Sequence, residues 1–251
     1  MSLVKNDSGS TLTNESLKDK SVLIFGGGSG IGLETALRAM AAGANVIIVG
    51  RDRERTKQMA EEHGFSGWRV ADVTDPEAIR LALSTVDVVD HLIMLSGTFA
   101  LGKILEADVS LLRQAYEERI WAIVHVLRTL GNKLASDASV TLVSGALTHR
   151  PDGNGTAIIT SACAAVEVLG RGLALELAPR RVNILAPGPI NTPLLYKSVG
   201  DARDAWAEVI EANHPLHRFG TPGEAASAAM FLMTNQYMNG AVLNIDGGSR
   251  L

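Results

Sequence analysis

The chain has 251 residues, a formal net charge of -4, 46% hydrophobic and 20% charged residues, and one cysteine. Without a basic excess, this ordinary globular composition argues against nucleic acid as a partner. The single cysteine, Cys163, excludes an intrachain disulfide and a cysteine-based metal cluster. We therefore predict no metal site and a reducing, cytoplasmic location.

The first segment, MSLVKNDSGSTLTNESLKDK, is rich in Ser, Thr and Asn and lacks the apolar run of a signal peptide. We predict that residues 1–20 form a mobile arm and that residues 21–251 form one domain. Apolar runs such as NVIIVG and HLIMLSG are broken after a few positions, so we predict no membrane-spanning segment.

Short apolar runs alternate with longer amphipathic segments along the rest of the chain. The runs of strand character are, in order, SVLIF, NVIIV, WRVAD, HLIML, SVTLV, RVNIL and AVLNI. The segments of helical character are GLETALRAMAAG, DRERTKQMAEEHG, DPEAIRLALSTV, residues 108–133, TSACAAVEVLGRGLALELAP and GEAASAAMFLMTN. This alternation predicts a single α/β domain, in which a doubly wound, mainly parallel sheet of seven strands carries helices on both faces.

A glycine-rich loop, FGGGSGIG, joins the first predicted strand to the first predicted helix. Glycines at such a junction let backbone N–H groups and the positive end of the helix approach a phosphate closely. The spacing does not fit G-x-G-x-x-G but fits G-x-x-x-G-x-G over Gly26, Gly30 and Gly32. The alternative interpretation is a tight connection without a ligand.

This loop and four later segments resemble the short-chain dehydrogenase/reductase family. The loop of that family reads T-G-x-x-x-G-I-G, and only its threonine is replaced here, by Phe25. The later segments are ADVTD, RVNILAPGPINTP, RFGTPGEAA and GAVLNIDGG, so the resemblance covers nearly the whole chain after residue 20. It implies a Rossmann-like domain, oxidoreductase chemistry and a nicotinamide dinucleotide.

The loop pattern and the resemblance together predict a dinucleotide site drawn from several segments of the chain. Its predicted residues are Gly26, Gly28, Ser29, Gly30, Ile31, Gly32, Arg51, Asp72, Val73, Ser96, Gly97, Pro187, Gly188, Ile190 and Thr192.

The end of the second strand indicates which dinucleotide binds. Gly50 stands where a ribose-binding carboxylate is expected, and Arg51 follows it. A guanidinium pairs well with a 2′-phosphate, so NADP(H) is favoured over NAD(H). Asp52 keeps NAD(H) possible, and Arg51 at a solvated helix start is the alternative interpretation.

The catalytic residues that the resemblance implies are replaced. In the family a tyrosine donates the proton, helped by a lysine four residues later, a serine and an asparagine. The corresponding positions hold Ile159, Cys163, Gly145 and Arg119. No tyrosine lies between Tyr116 and Tyr196 and no lysine between Lys133 and Lys197. We therefore predict an atypical member without the Asn-Ser-Tyr-Lys set.

The family's NNAG segment is also replaced, here by Met94, Leu95, Ser96 and Gly97.

Few residues offer a substitute for the missing acid. Ser144 and His149 are weak candidates, since a serine precedes the Gly145 position and an imidazole titrates near neutral pH. Cys163 is better explained as a small buried side chain than as a nucleophile, and Tyr196 as a packing residue. Arg119 either binds an anionic ligand or pairs with Glu117 or Glu118.

Two functions remain open at this point. The favoured one is an NADP(H)-binding protein with weak, altered or no catalysis, acting as a nucleotide sensor or a partner subunit. The alternative is an active NADP(H)-dependent oxidoreductase that uses a relocated acid on a small carbonyl or alcohol. By resemblance we also expect a homo-oligomer, a dimer or tetramer paired through residues 108–133 and 157–178, and no membrane partner.

Overall fold

A computed structural model describes residues 16–149, 151–200 and 203–251. Within these residues, seven parallel strands form one sheet in the order β3-β2-β1-β4-β5-β6-β7. The strands are β1 Ser21–Phe25, β2 Asn45–Gly50, β3 Gly67–Val70, β4 Val89–Met94, β5 Leu134–Val143, β6 Arg181–Pro187 and β7 Val242–Ile245. The predicted doubly wound α/β fold is confirmed, and the sheet is parallel throughout.

Helices connect the strands. They are α1 Gly30–Ala41, α2 Arg53–His63, α3 Pro76–Ala82, α4 Val109–Tyr116, α5 Ala122–Leu130, α6 Ala157–Glu176, α7 Pro193–Val199, α8 Arg203–Asn213 and α9 Pro222–Thr234. Several begin at side-chain caps that the sequence provides. Asp75 accepts from the N–H of Glu77 at 2.9 Å, and Thr221 and Glu224 form a reciprocal capping box at α9.

Strand β1 shows why helices are needed on both faces of the sheet. Its side chains alternate between the two faces, and those of Val22 to Phe25 are all buried. Leu23 and Phe25 join the core cluster that α3, α5 and α6 cover, whereas Val22 and Ile24 join the cluster beneath α1 and α2. A strand with four consecutive buried apolar residues therefore requires two covering layers.

The structure departs from the predicted elements at two places. The predicted helix over residues 108–133 is interrupted by a π-helical turn, Glu117–Trp121, that separates α4 from α5. Helices α7 and α8 were not predicted, because residues 193–213 mix exposed polar and apolar positions without a clear face. Both departures lie at the carboxyl edge of the sheet.

Helix α6 is long and apolar enough, by length and composition alone, to cross a membrane, which the short broken runs in the sequence did not indicate. Its surroundings give a different reason for its apolar sequence. The helix packs on β5 and β6, and a Cβ added to Gly170 would lie 2.6 Å from Cδ1 of Ile184. The glycine therefore permits close contact with the sheet, as expected of a core helix.

Most of the predicted arm, residues 1–15, lies outside the described residues. The part that is described packs on the domain. Leu17 is buried among α1 residues, and its N–H donates to the carbonyl of Ala42 at 2.9 Å. Lys20 pairs with Asp90 at 2.9 Å, which ties the segment to β4.

One histidine in the sheet makes stability depend on pH. His91 lies in β4, and its Nδ1 is 2.7 Å from Oγ of Ser139. Burial lowers the pKa of His91 to about 4, although the charge of Asp90 opposes this. The folded protein therefore holds a neutral imidazole at pH 5, where an unfolded chain is already protonated.

We predict that the free energy of unfolding falls as the pH drops from 7 to 5. The unfolded state binds more protons in this range, and the linked loss is on the order of 2 kcal/mol. Urea titrations of wild type and His91→Asn at the two pH values measure it, and the variant should lose less. His149→Asn, at an exposed position, is the matched control. If wild type and His91→Asn lost the same free energy of unfolding between pH 7 and pH 5, the prediction would be wrong.

Candidate functional site

A cleft of about 920 Å³ lies across the carboxyl ends of the parallel strands. Ligands of open α/β sheets bind at this edge, where the strand order reverses between β1 and β4. Fourteen of the fifteen predicted dinucleotide residues line the cleft; Gly28 does not. Segments that lie more than 160 residues apart in the sequence are therefore brought together at one site.

The glycine loop brings the start of α1 close to the end of β1. Gly26 adopts a φ of +83°, and a Cβ added there would lie 2.9 Å from the backbone of Ser96. A Cβ on Gly32 would collide with the carbonyl of Gly26. The side chain of Ser29 makes no capping hydrogen bond at α1. The first N–H groups of this helix thus remain available to a phosphate.

Two arginines line the cleft beyond β2. These are the predicted Arg51 and also Arg55, in the first turn of α2, which sequence reasoning missed. Asp52 does not line the cleft; instead, its carboxylate accepts from the N–H of Arg55 at 3.0 Å as the cap of α2. A Cβ on Gly50 would collide with the hydroxyl of Thr56, so an acid cannot occupy that position without rearrangement.

Asp72 lies at the end of β3 on the same side of the cleft. Partial burial favours a higher pKa for this carboxyl, but it is outweighed by hydrogen bonds from the N–H and hydroxyl of Thr74, at 2.9 and 2.7 Å, and by the charge of Arg51. The pKa of Asp72 is therefore held below its ordinary value. The carboxylate stays ionised and fixed at neutral pH.

The far end of the cleft is formed by the segments after β4 and β6. Gly188 lies so close to β7 that an added Cβ would be 2.7 Å from Cα of Asp246. Thr192 is buried and caps α7. The hydroxyl of Ser96 is buried without a hydrogen-bond partner among the described residues, although Ser96 lines the cleft.

The position predicted to correspond to the family's tyrosine, Ile159, holds an aliphatic side chain. Ile159 is 1% exposed and packs with Ala100, Ala115 and Ala162, away from the cleft. Four residues later on α6, Cys163 does line the cleft. Burial raises the pKa of the Cys163 thiol, against the opposing effect of Arg119. The thiol is therefore neutral at physiological pH.

Gly145 and Ser144 differ in what they face. A Cβ added to Gly145 would lie 3.9 Å from the sulfur of Cys163, which places this position toward α6 and the cleft. The hydroxyl of Ser144 instead donates to Oε1 of Glu167 at 2.9 Å. Thr148 donates to the same oxygen at 3.1 Å. Ser144 is thus engaged in a buried polar network.

Arg119 lies in the π-helical turn and lines the cleft. Its Nη2 donates to the carbonyl of Thr98 at 2.9 Å, whereas Nε and Nη1 are buried without a partner among the described residues. Neither predicted ion pair forms, because the oxygens of Glu118 accept from Thr98 and Gln114.

His149 is exposed and does not line the cleft, which leaves it without direct reach to a ligand there. Tyr196 also lies outside the lining and donates to Asn191, in agreement with a packing role. His214, directly after α8, does line the cleft, and burial lowers its pKa while the charge of Asp246 opposes this. Sequence reasoning missed His214 because α8 was not predicted.

Glu167 was also missed, although one signal was available. It follows Cys163 by four residues, and this spacing places two helical side chains on one face.

Comparison with known proteins gives one family along nearly the whole chain. A family model described as Enoyl-(Acyl carrier protein) reductase matches residues 26–250. The Galactitol 2-dehydrogenase (L-tagatose-forming) of Cereibacter sphaeroides is 31% identical over 241 residues, covering 90% of this chain and 92% of that protein.

Solved structures agree with this match. A small-chain dehydrogenase in complex with NADPH is 28% identical, with a TM-score of 0.79 over 93% of this chain and 99% of the other. A short chain dehydrogenase from Burkholderia cenocepacia J2315 in complex with NADP is 25% identical, with a TM-score of 0.85 over 94% and 98% of the two chains.

Proposed function

Because this chain belongs to the short-chain dehydrogenase/reductase family of oxidoreductases, we propose that its cleft binds NADP(H) and that the family's proton transfer is lost or strongly weakened. The observation that carries this proposal is the contrast within one cleft. The nucleotide end keeps its glycines and two arginines, whereas the position of the proton donor holds the buried Ile159. A nucleotide sensor or a partner subunit fits this contrast.

The preference for NADP(H) rests on the two arginines after β2. Arg51 and Arg55 both line the cleft, and the nearby acid, Asp52, is used as a helix cap. Two guanidinium groups supply charge-assisted hydrogen bonds to a 2′-phosphate, which NAD(H) lacks. The short-chain dehydrogenases noted above with NADPH and NADP also fit this preference.

The substitutions Arg51→Ala and Arg55→Ala, combined, test the preference. We expect NADPH to bind about 10- to 100-fold more weakly to the double variant, because charge-assisted bonds to one phosphate are lost. The dissociation constant for NADH should differ by less than about threefold between the double variant and wild type. Fluorescence titration of both cofactors measures each dissociation constant.

Arg53→Ala is the matched control for these variants. Arg53 lies between the two arginines in sequence, but its guanidinium stacks 5.7 Å over the ring of Trp68 and does not line the cleft. Tighter binding of NADH than of NADPH by wild type would contradict the proposed preference.

The catalytic part of the proposal rests on proton supply. The dinucleotide, when bound, supplies or accepts hydride, and the protein must supply the proton. An isoleucine has no proton to donate, and the neutral Cys163 thiol does not replace the lysine charge at its position. Ser144 is held by Glu167. His214 is the described cleft residue that best suits the alternative, an active enzyme with a relocated acid.

We therefore expect saturable NADPH binding with little oxidation of the cofactor across a panel of small carbonyl compounds. Loss of a positioned general acid costs about 10²- to 10⁴-fold in rate. The absorbance of NADPH measures oxidation, with an active NADPH-dependent carbonyl reductase as the positive control. Rapid turnover that His214→Ala abolishes would instead establish the relocated-acid enzyme.

We also propose that the chain is a homo-oligomer that pairs through one outer surface, the α4–α6 face. It carries exposed apolar side chains, namely Val109, Leu111, Tyr116, Trp121, Val168 and Leu175. Patches of this kind mark contact surfaces.

Light scattering after size exclusion should give a dimer or tetramer for wild type and a monomer for Trp121→Glu combined with Val168→Glu. A charge at the centre of a self-paired apolar surface is desolvated in both copies. Leu81→Glu, at an exposed position on α3, should leave the oligomer intact. A monomeric wild type would refute this part of the proposal.

The cytoplasm remains our proposed location, on the basis of a single cysteine and no disulfide. A small-molecule ligand beside the dinucleotide is the remaining proposed partner.

A further inference from the structure

Arg119 is a charged residue that the fold leaves unsatisfied. Its Nε and Nη1 atoms are buried and have no hydrogen-bond partner among the described residues. Nη2 donates to the carbonyl of Thr98, and the guanidinium also lies within hydrogen-bonding reach of the Cys163 thiol, a weak and uncharged partner. Burying a guanidinium without an anion or enough acceptors costs free energy, so such a group usually meets a ligand.

The acids of the cleft do not neutralise Arg119. Glu118 accepts from Thr98 and Gln114, Asp72 is held by Thr74, and Asp152 accepts from Asn154 and Thr156. No carboxylate of the described residues lies within ion-pair distance of the Arg119 guanidinium. The compensating anion must therefore come from outside this part of the chain.

The position of Arg119 places that anion at the far end of the cleft, formed by the segments after β4 and β6. We call this the chemical end. A Cβ added to Gly97, after β4, would lie 3.5 Å from Cζ of Arg119. The guanidinium also affects the pKa of Cys163, at the family's lysine position. The cations proposed for the cofactor phosphate, Arg51 and Arg55, lie at the other end, after β2.

The walls of the cleft indicate the rest of the ligand. Apolar side chains, Phe99, Leu101 and Leu147, line the same cleft as Arg119. A carboxylate is planar, carries a full charge and accepts several hydrogen bonds, which suits the planar guanidinium. An apolar body on that carboxylate suits the walls.

We propose that Arg119 forms a receptor for the carboxylate of a small, largely apolar acid that binds beside the dinucleotide. This inference names the ligand class of the cleft and rests on the proposed function. It requires no chemical step, since binding alone neutralises the buried cation.

Benzoate and benzamide test the inference, because they share a shape and differ in charge. We expect wild type saturated with NADP⁺ to bind benzoate at least about tenfold more tightly than benzamide by calorimetry. Arg119→Gln should reduce this discrimination to about twofold or less, while Arg119→Lys, which keeps the charge but not the planar fork, should retain part of it. Arg128→Gln, at an exposed position on the following helix, is the matched control.

Four results would overturn the inference. If wild type binds benzoate and benzamide equally well, the carboxylate receptor does not exist. If Arg119→Gln still prefers benzoate, the carboxylate binds to another residue. If Lys197→Gln, and not Arg119→Gln, removes the preference for benzoate, the carboxylate binds to Lys197 of α7, which also lines the cleft. Loss of NADP⁺ affinity together with benzoate in Arg119→Gln would assign the guanidinium to the cofactor.

Separate titrations distinguish failure of the proposed function from failure of the carboxylate receptor. NADP⁺ is titrated first, and benzoate and benzamide are then also titrated against protein without dinucleotide. Absence of NADP⁺ binding refutes the proposed function, whereas discrimination on the protein alone still supports the carboxylate receptor.

Discussion

The parallel sheet, covered on both faces, is the constraint from which the cleft follows. Strands with consecutive apolar residues, such as Val22 to Phe25 in β1, can be buried only between two layers of helices. Right-handed crossovers then bring the carboxyl ends of all strands to one edge. Loops at that edge are free to vary because the core beneath them does not depend on them. The residues at one end of the cleft can thus differ without disturbing the other end.

The fold and the nucleotide end were largely predictable from sequence because both depend on local patterns. Alternating runs marked the strands, and Gly26 and Gly32 marked a contact that an added Cβ would obstruct. Arg55 was missed because its role depends on the helical turn that brings it to the same side as Arg51. The sequence did contain an indication of this, because Asp52 as the cap of α2 places Arg55 in the first turn of the helix.

The chemical end was less predictable because it depends on contacts between distant segments. Arg119 and Glu118 are neighbours in sequence, which suggested an ion pair, yet Glu118 is bound by Thr98 from the loop after β4. The π-helical turn changes the directions in which successive side chains project. No periodicity in residues 108–133 reveals such a turn. His214 was missed for a related reason, since α8 has a mixed pattern and enters the cleft only through tertiary packing.

The residues that we align with the family's catalytic positions are better understood together than one by one. The family's lysine would place an ammonium at position 163, close to the guanidinium of Arg119, and two cations in a buried pocket would repel each other. With a neutral thiol at Cys163, the cation of this pocket is supplied instead from the π-helical turn. If the cleft binds the acid that we propose, the guanidinium held by the carbonyl of Thr98 faces a ligand that brings its own negative charge. Binding such a ligand requires neither a phenol nor an amine.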